Sequence, residues 1–144
     1  MCISLITYFM KILTIAFLLI LSNPAGAAEP TFTKQYANCI ERDESGSPME
    51  RIDCMVSETK RQGAMLEATY KAVLKETPKQ GQAKLREAQR DWLKYLASNC
   101  DSFYDAGEQV GGMLAREEAR ADCVMNMTRD RKDNLKALLE TRTM

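Results

Sequence analysis

The sequence predicts an all-α domain: an up-and-down helical hairpin with a third long helix laid along it and a short N-terminal helix, stapled by two disulfides. Three observations predict it. Apolar residues recur at three- and four-residue spacing over most of the chain. No stretch alternates with period two for long enough to make a strand. Four cysteines, Cys39, Cys54, Cys100 and Cys123, follow a short apolar leader in a body of about a hundred residues, a size at which covalent cross-links offset a small core.

The leader comes first because it sets the redox environment. Lys11 precedes the apolar run Ile12 to Leu21, and Ser22-Asn23-Pro24-Ala25-Gly26-Ala27 follows. A basic start, a short apolar stretch, a breaker and an Ala-x-Ala site read as a secretory signal cut after Ala27. The run is well short of the ~20 residues a spanning helix needs. Residues 1–27 are therefore read as signal peptide, with Met10 an alternative start, and residues 28–144 as one domain. The predicted location is periplasmic or secreted. With no cysteine at the cleavage point, no stable membrane anchor is expected once the signal is cut.

The helices follow in order. Pro30 to Ile40 carries Phe32, Tyr36 and Ile40 at four-residue spacing, and Asp43-Glu44-Ser45-Gly46-Ser47 breaks it. Ser47 and Pro48 read as the N-cap and first position of a long helix whose face is Ile52, Met55, Val56, Thr59, Gly63, Leu66, Tyr70, Val73 and Leu74. Thr77 to Gly81 interrupts. The next face is Leu85, Ala88, Trp92, Tyr95, Leu96 and Phe103, and Asp105 to Gly107 with Gly111-Gly112 marks a loop. The last helix, about Met113 to Glu140, carries Ala115, Ala119, Cys123, Val124, Met127, Leu135, Leu138 and Leu139.

A turn near Pro78 sets position 54 opposite about position 102, and a turn near Gly107 brings Cys123 past the same end. Cys39 is tethered there by its loop. All four thiols thus gather at one end. Cys39–Cys54 with Cys100–Cys123 is the favoured pairing, joining sequence neighbours; Cys54–Cys100 with Cys39–Cys123 is its rival, and free buried thiols are the plain alternative. A bridge closing a loop of this length is worth roughly 3 kcal/mol.

Composition excludes more than it identifies. Histidine is absent, which removes the commonest general base and metal ligand. Oxidised thiols remove thiolate zinc sites. Cleavage leaves 19 basic and 20 acidic residues, with no basic stripe interleaved with aromatics, so nucleic acid is not an expected partner. Glu117 and Glu118, about 100° apart on a helix, read as a solvated face rather than a catalytic pair. No enzyme, cofactor or metal is expected, and the oligomeric state is not legible.

The run Leu85-Arg86-Glu87-Ala88-Gln89-Arg90-Asp91-Trp92-Leu93-Lys94-Tyr95, closing at Cys100, resembles the signature of the LprI-like lysozyme-inhibitor N-terminal domain family. Leu66 to Tyr70 resembles its L-N-x-x-Y segment. Gly111-Gly112, Cys123, Thr128, Arg129 or Arg131, and Leu135 resemble its tail. Glu67 stands where the family often has Asn, and Leu96-Ala97 where Arg-Asp is common. The likeness covers about Cys39 to Leu139 and implies a small exported helical protein, with a lysozyme as the partner for some members.

From the residues themselves, Trp92 reads as a core anchor, Gln89 as an interhelical bridge and Arg90 as a partner for Glu87 or another helix. Tyr70 and Tyr95 read as flanking the hairpin seam. Blocking a basic glycosidase cleft calls for exposed acidic and small residues on rigid loops. The candidates are Asp43, Glu44, Ser45 and Gly46 on one loop, and Asp105 and Glu108 on the other. The alternative is an envelope structural or interaction module without inhibitory activity.

Overall fold

The computed structural model describes residues 32–43, 46–106 and 112–143. The signal segment, Glu44, Ser45, Glu108 and Gly111 lie outside the described residues. Within them the chain forms α1 (Lys34–Glu41), α2 (Pro48–Glu76), α3 (Lys79–Ala106) and α4 (Gly112–Thr143), and no strand.

Local chemistry explains the boundaries. Thr33 caps α1, its Oγ1 accepting from the Tyr36 amide at 3.3 Å. Ser47 precedes Pro48 at the start of α2, where its carbonyl accepts from the Arg51 amide at 3.1 Å. Thr77 is extended, as the residue before a proline prefers to be, and ends α2. The break is shorter than its composition suggests. The Pro78 carbonyl accepts from Gly81 and Gln82 at 2.8 and 3.2 Å, so helix resumes at Lys79 and takes in Gly81. A Cβ on Gly81 would stand 2.9 Å from Thr77 Cγ2, so this tight approach needs glycine. Asp105 and Ala106, expected in a loop, close α3 instead. Gly112 starts α4 with φ +73°, a conformation that favours glycine.

Packing departs from a simple hairpin. The main seam joins α2 to α4; α3 packs on α4 and α1 on α2, while α2 and α3, though sequential, meet little directly. Cross-helix bonds give the directions. Arg51 meets Glu118 and Arg142 meets Thr77, so α2 and α4 run parallel. Asp101 meets Arg120 and Gln89 meets Arg131, so α3 runs antiparallel to α4. One end of the bundle thus holds the starts of α2 and α4 and the close of α3. The other holds the Thr77-Pro78 turn.

The apolar core lies towards the turn. Leu66, Val73 and Leu135 are buried there, with Tyr70, Leu85, Trp92, Leu138 and Leu139 packed around them. On α2 the expected residues Met55, Leu66 and Val73 are buried, but the face extends to Cys54, Glu58 and Gln62, whereas Val56 is 41% exposed. α1 docks on the Cys54–Glu58 side, through the Cys39–Cys54 bridge and the Thr33–Glu58 bonds. On α3 three expected core residues are exposed, Ala88, Tyr95 and Phe103, because α3 leans on one neighbour and leaves a flank of its face open. On α4 the most buried residue is Met125, which the expected stripe omitted, while Ala115 is exposed.

Candidate functional site

Both disulfides sit at the end away from the core. Cys39–Cys54 joins α1 to α2, and Cys100–Cys123 joins α3 to α4. Cys54 lies one turn past Arg51 and Cys123 little more than one turn past Glu118, so the two cross-links stand near the same level. Cys100 is fully buried, its Sγ 3.6 Å from Met127 Sδ, and Asn99 Nδ2 points at the same thioether from 3.3 Å.

A buried carboxylate makes the second tie between α1 and α2. Glu58 is fully buried. It accepts from the Thr33 amide at 2.9 Å, the Thr33 hydroxyl at 2.5 Å, Gln62 Nε2 at 2.7 Å and Arg61 Nε at 2.9 Å. Burial alone would raise its pKa. The hydrogen bonds from Thr33, Gln62 and Arg61 outweigh that and hold the carboxyl below the usual range. Nearby, Phe32 lies between Tyr36, ring centroids 5.2 Å apart, and the Arg129 guanidinium at 4.6 Å. Burial and then the carboxylates of Asp122 and Glu58 push the Tyr36 phenol up. Charged residues at stripe positions look like interruptions in a hydropathy pattern, so Glu58 escapes sequence reading. The run Cys54, Glu58, Gln62, Leu66 at period four is the signal that could have found it.

Arg51 ties Gly46 to Glu118 of α4. Its Nε and Nη2 bond Glu118 Oε1 and Oε2 at 2.6 and 3.0 Å, and its Nη1 donates to the Gly46 carbonyl. The bond to Glu118 raises the guanidinium pKa further. Glu118 is therefore half-buried and paired, correcting its reading as solvated; Glu117 does stay exposed. Asp43 lies four residues past Cys39 of the Cys39–Cys54 bridge, and Gly46 is held by Arg51.

Beside that disulfide lies a shallow depression of about 290 Å³, lined by Arg42, Asp43, Glu50, Asp53 and Ser57 over Cys39 and Cys54. Residues 41–53 and 101–120 contain ten acidic and four basic residues. Two of the basic ones, Arg51 and Arg120, are paired within the chain, Arg120 with Asp101 at 2.9 Å. Large apolar side chains are exposed at the same end: Met49 at 53%, Phe103 at 52%, Met113 at 64% and Leu114 at 39%. Among the described residues no group of acidic or cysteine side chains could hold a metal ion. What this end can do is contact: it offers carboxylates, a concavity and apolar side chains on a cross-linked frame.

Of the expected contact residues, Asp43 lines the depression, Gly46 is exposed with φ +62°, and Asp105 is exposed on the last turn of α3. The depression adds Glu50 and Asp53, which the loop-centred reading missed because they belong to the first turns of α2.

A sequence model described as lysozyme inhibitor LprI matches residues 39–135. The chain belongs to the LprI lysozyme-inhibitor family. The matched span contains the four disulfide cysteines and closes at the core residue Leu135; Phe32 and Thr33 of the N-terminal tie lie before it. No curated protein and no solved structure matches the chain.

The residues quoted for the LprI likeness divide by environment. Leu66 and Thr128 are buried, Thr128 donating to the Val124 carbonyl at 2.7 Å, and Tyr70 and Trp92 pack on the core. Gln89 does bridge helices, its Oε1 accepting from Arg131 Nε at 3.0 Å, with the Arg131 guanidinium 5.9 Å from the Trp92 ring. That settles which tail arginine faces the signature: Arg131, whose pKa burial lowers, and not Arg129. Arg90 is exposed, and no ion pair to Glu87 or to another helix is found for it among the described residues. Tyr95, at 58% exposure, lies off the seam altogether. No helix of the described residues is long and apolar enough to cross a membrane.

Proposed function

We propose that this protein is exported and inhibits a lysozyme by placing its cross-linked acidic end over the enzyme's substrate cleft. The observation that carries the reading is the coincidence at one end of both disulfides, an excess of carboxylates and several exposed apolar side chains. Lysozyme clefts that bind anionic cell-wall polymer are basic at the rim, and carboxylates on a rigid support are their electrostatic complement. The support matters because side chains held on a cross-linked frame lose less entropy on binding. Asp43, Glu50, Asp53 and Asp105 are the contact carboxylates, Glu44 and Glu108 extend the set in sequence, and Arg51 is a positioning residue. No chemistry on the substrate is required of this chain.

The test is clearance of a cell-wall suspension by several lysozymes with the purified protein present, beside its Asp43→Lys/Asp53→Lys/Asp105→Lys variant. Inhibition by the parent and its loss in a folded variant is the expected result. Equal inhibition by both would remove the acidic end from the mechanism. A folded parent that inhibits no lysozyme would leave an envelope interaction module instead.

A further inference from the structure

We infer that the end opposite the disulfides is a basic tip that docks on an anionic phospholipid surface. The near-zero net charge conceals a separation along the bundle axis. Residues 71–86 and 132–143, which form the Thr77-Pro78 turn and the helix ends beside it, contain eight basic and three acidic residues. The stapled end is its inverse: the described residues of 41–53 and 101–120 include eight acidic and four basic. Parallel α2 and α4 put two helix C-termini at the tip, and basic residues there offset the helix dipoles. That accounts for only part of the excess. Two C-termini and one N-terminus leave roughly half a negative charge, against a surplus of five basic residues in those segments.

Three features say what kind of anion the tip fits. Lysine outnumbers arginine there by six to two, which favours diffuse attraction over bidentate recognition of one phosphate. Lys71, Lys75, Lys79, Lys84, Arg86 and Lys136 are all exposed and are spread over three helices. Such spacing suits a broad surface of laterally mobile charge better than a discrete ligand. Finally, none of the large exposed apolar residues lies in these segments. Stacking platforms for nucleic-acid bases are therefore missing from it, and so are wedges that would insert into a bilayer. The contact is peripheral and electrostatic. On the inhibitor reading it would turn the acidic end away from the membrane, although the docking itself does not depend on that reading.

Co-sedimentation of the full chain with vesicles of phosphatidylglycerol and phosphatidylcholine tests this. Binding to the mixed anionic vesicles, none to pure phosphatidylcholine, and release by added salt are expected. Each lysine near the surface contributes about five-fold to partitioning, so Lys75→Gln/Lys79→Gln/Lys84→Gln should weaken binding about a hundred-fold while the variant stays folded and helical. Equal binding to neutral vesicles, or undiminished binding by the folded triple variant, would overturn the inference. So would tight binding to single-stranded DNA with none to anionic vesicles at the same salt.

Discussion

The two ends of this bundle are held together by different physics. At the turn end, Leu66, Val73 and Leu135 are buried with Trp92, Leu85 and Leu138 around them, and ordinary apolar burial does the work. At the stapled end Met55 and Met125 are buried beside Cys54, Cys100, Glu58 and Gln62, while Met49, Phe103 and Met113 face water. A part of the molecule that spends apolar side chains on its surface needs another source of cohesion. Here two covalent bonds and one hydrogen-bonded carboxylate add to the burial of Met55 and Met125. The difference teaches that cross-linking in a small domain does more than raise stability: it frees a surface from having to be a core.

Reduction of both disulfides should break the comparison most severely. Each is worth about 3 kcal/mol, so a thermal melt with and without reductant should differ by tens of degrees, and a superimposable pair would refute the contrast. Leu135→Ala attacks the other end and should cost about 2–5 kcal/mol by chemical denaturation. Its effect should persist when the disulfides are reduced and add to theirs, the sites being well apart.

Glu58→Gln comes next, at about 1–3 kcal/mol, because Thr33 and Arg61 lose a charged acceptor in a buried place. It also carries a pH signature. The Glu58 carboxyl is held below its ordinary range in the fold, so its contribution is complete above the unfolded value near 4.3. That contribution fades as pH falls through the lower folded value. Stability of the parent should drop more steeply in acid than that of the Gln variant, and parallel curves would exclude Glu58 as the source. Gln89→Ala should give the smallest effect, about 1 kcal/mol in a urea melt, by leaving Arg131 Nε without its acceptor.

The same contrast explains what could be read in the sequence. Where apolar burial rules, spacing suffices: Leu66, Val73, Trp92 and Leu135 were all legible as core. Ser47-Pro48 marked the start of α2, since capping chemistry is local. Where packing is set by a partner helix, spacing misleads. The α2 face is widened to Cys54 and Glu58 where α1 docks, and Tyr95 and Phe103 are apolar residues on a helical stripe that tertiary structure leaves uncovered. Polar ties are the least legible. Arg51 and Glu118 are 67 residues apart in sequence and Thr33 and Glu58 are 25 apart, and nothing local in either pair announces the other. The Asp43 loop could be proposed as a contact region because its cysteine and charge spacing are visible. Glu50 and Asp53 could not, because helix geometry had to bring them beside it.

Because the disulfides pair Cys39 with Cys54 and Cys100 with Cys123, they close two loops in series that share no residue. The chain between them, residues 55–99, is spanned by no covalent link. A single protease cut at the Thr77-Pro78 turn would therefore yield two fragments, each internally cross-linked, that denaturant alone would part without any reducing agent. In native buffer the α2–α4 seam should keep them together, which makes this turn the place at which to divide the protein for fragment complementation.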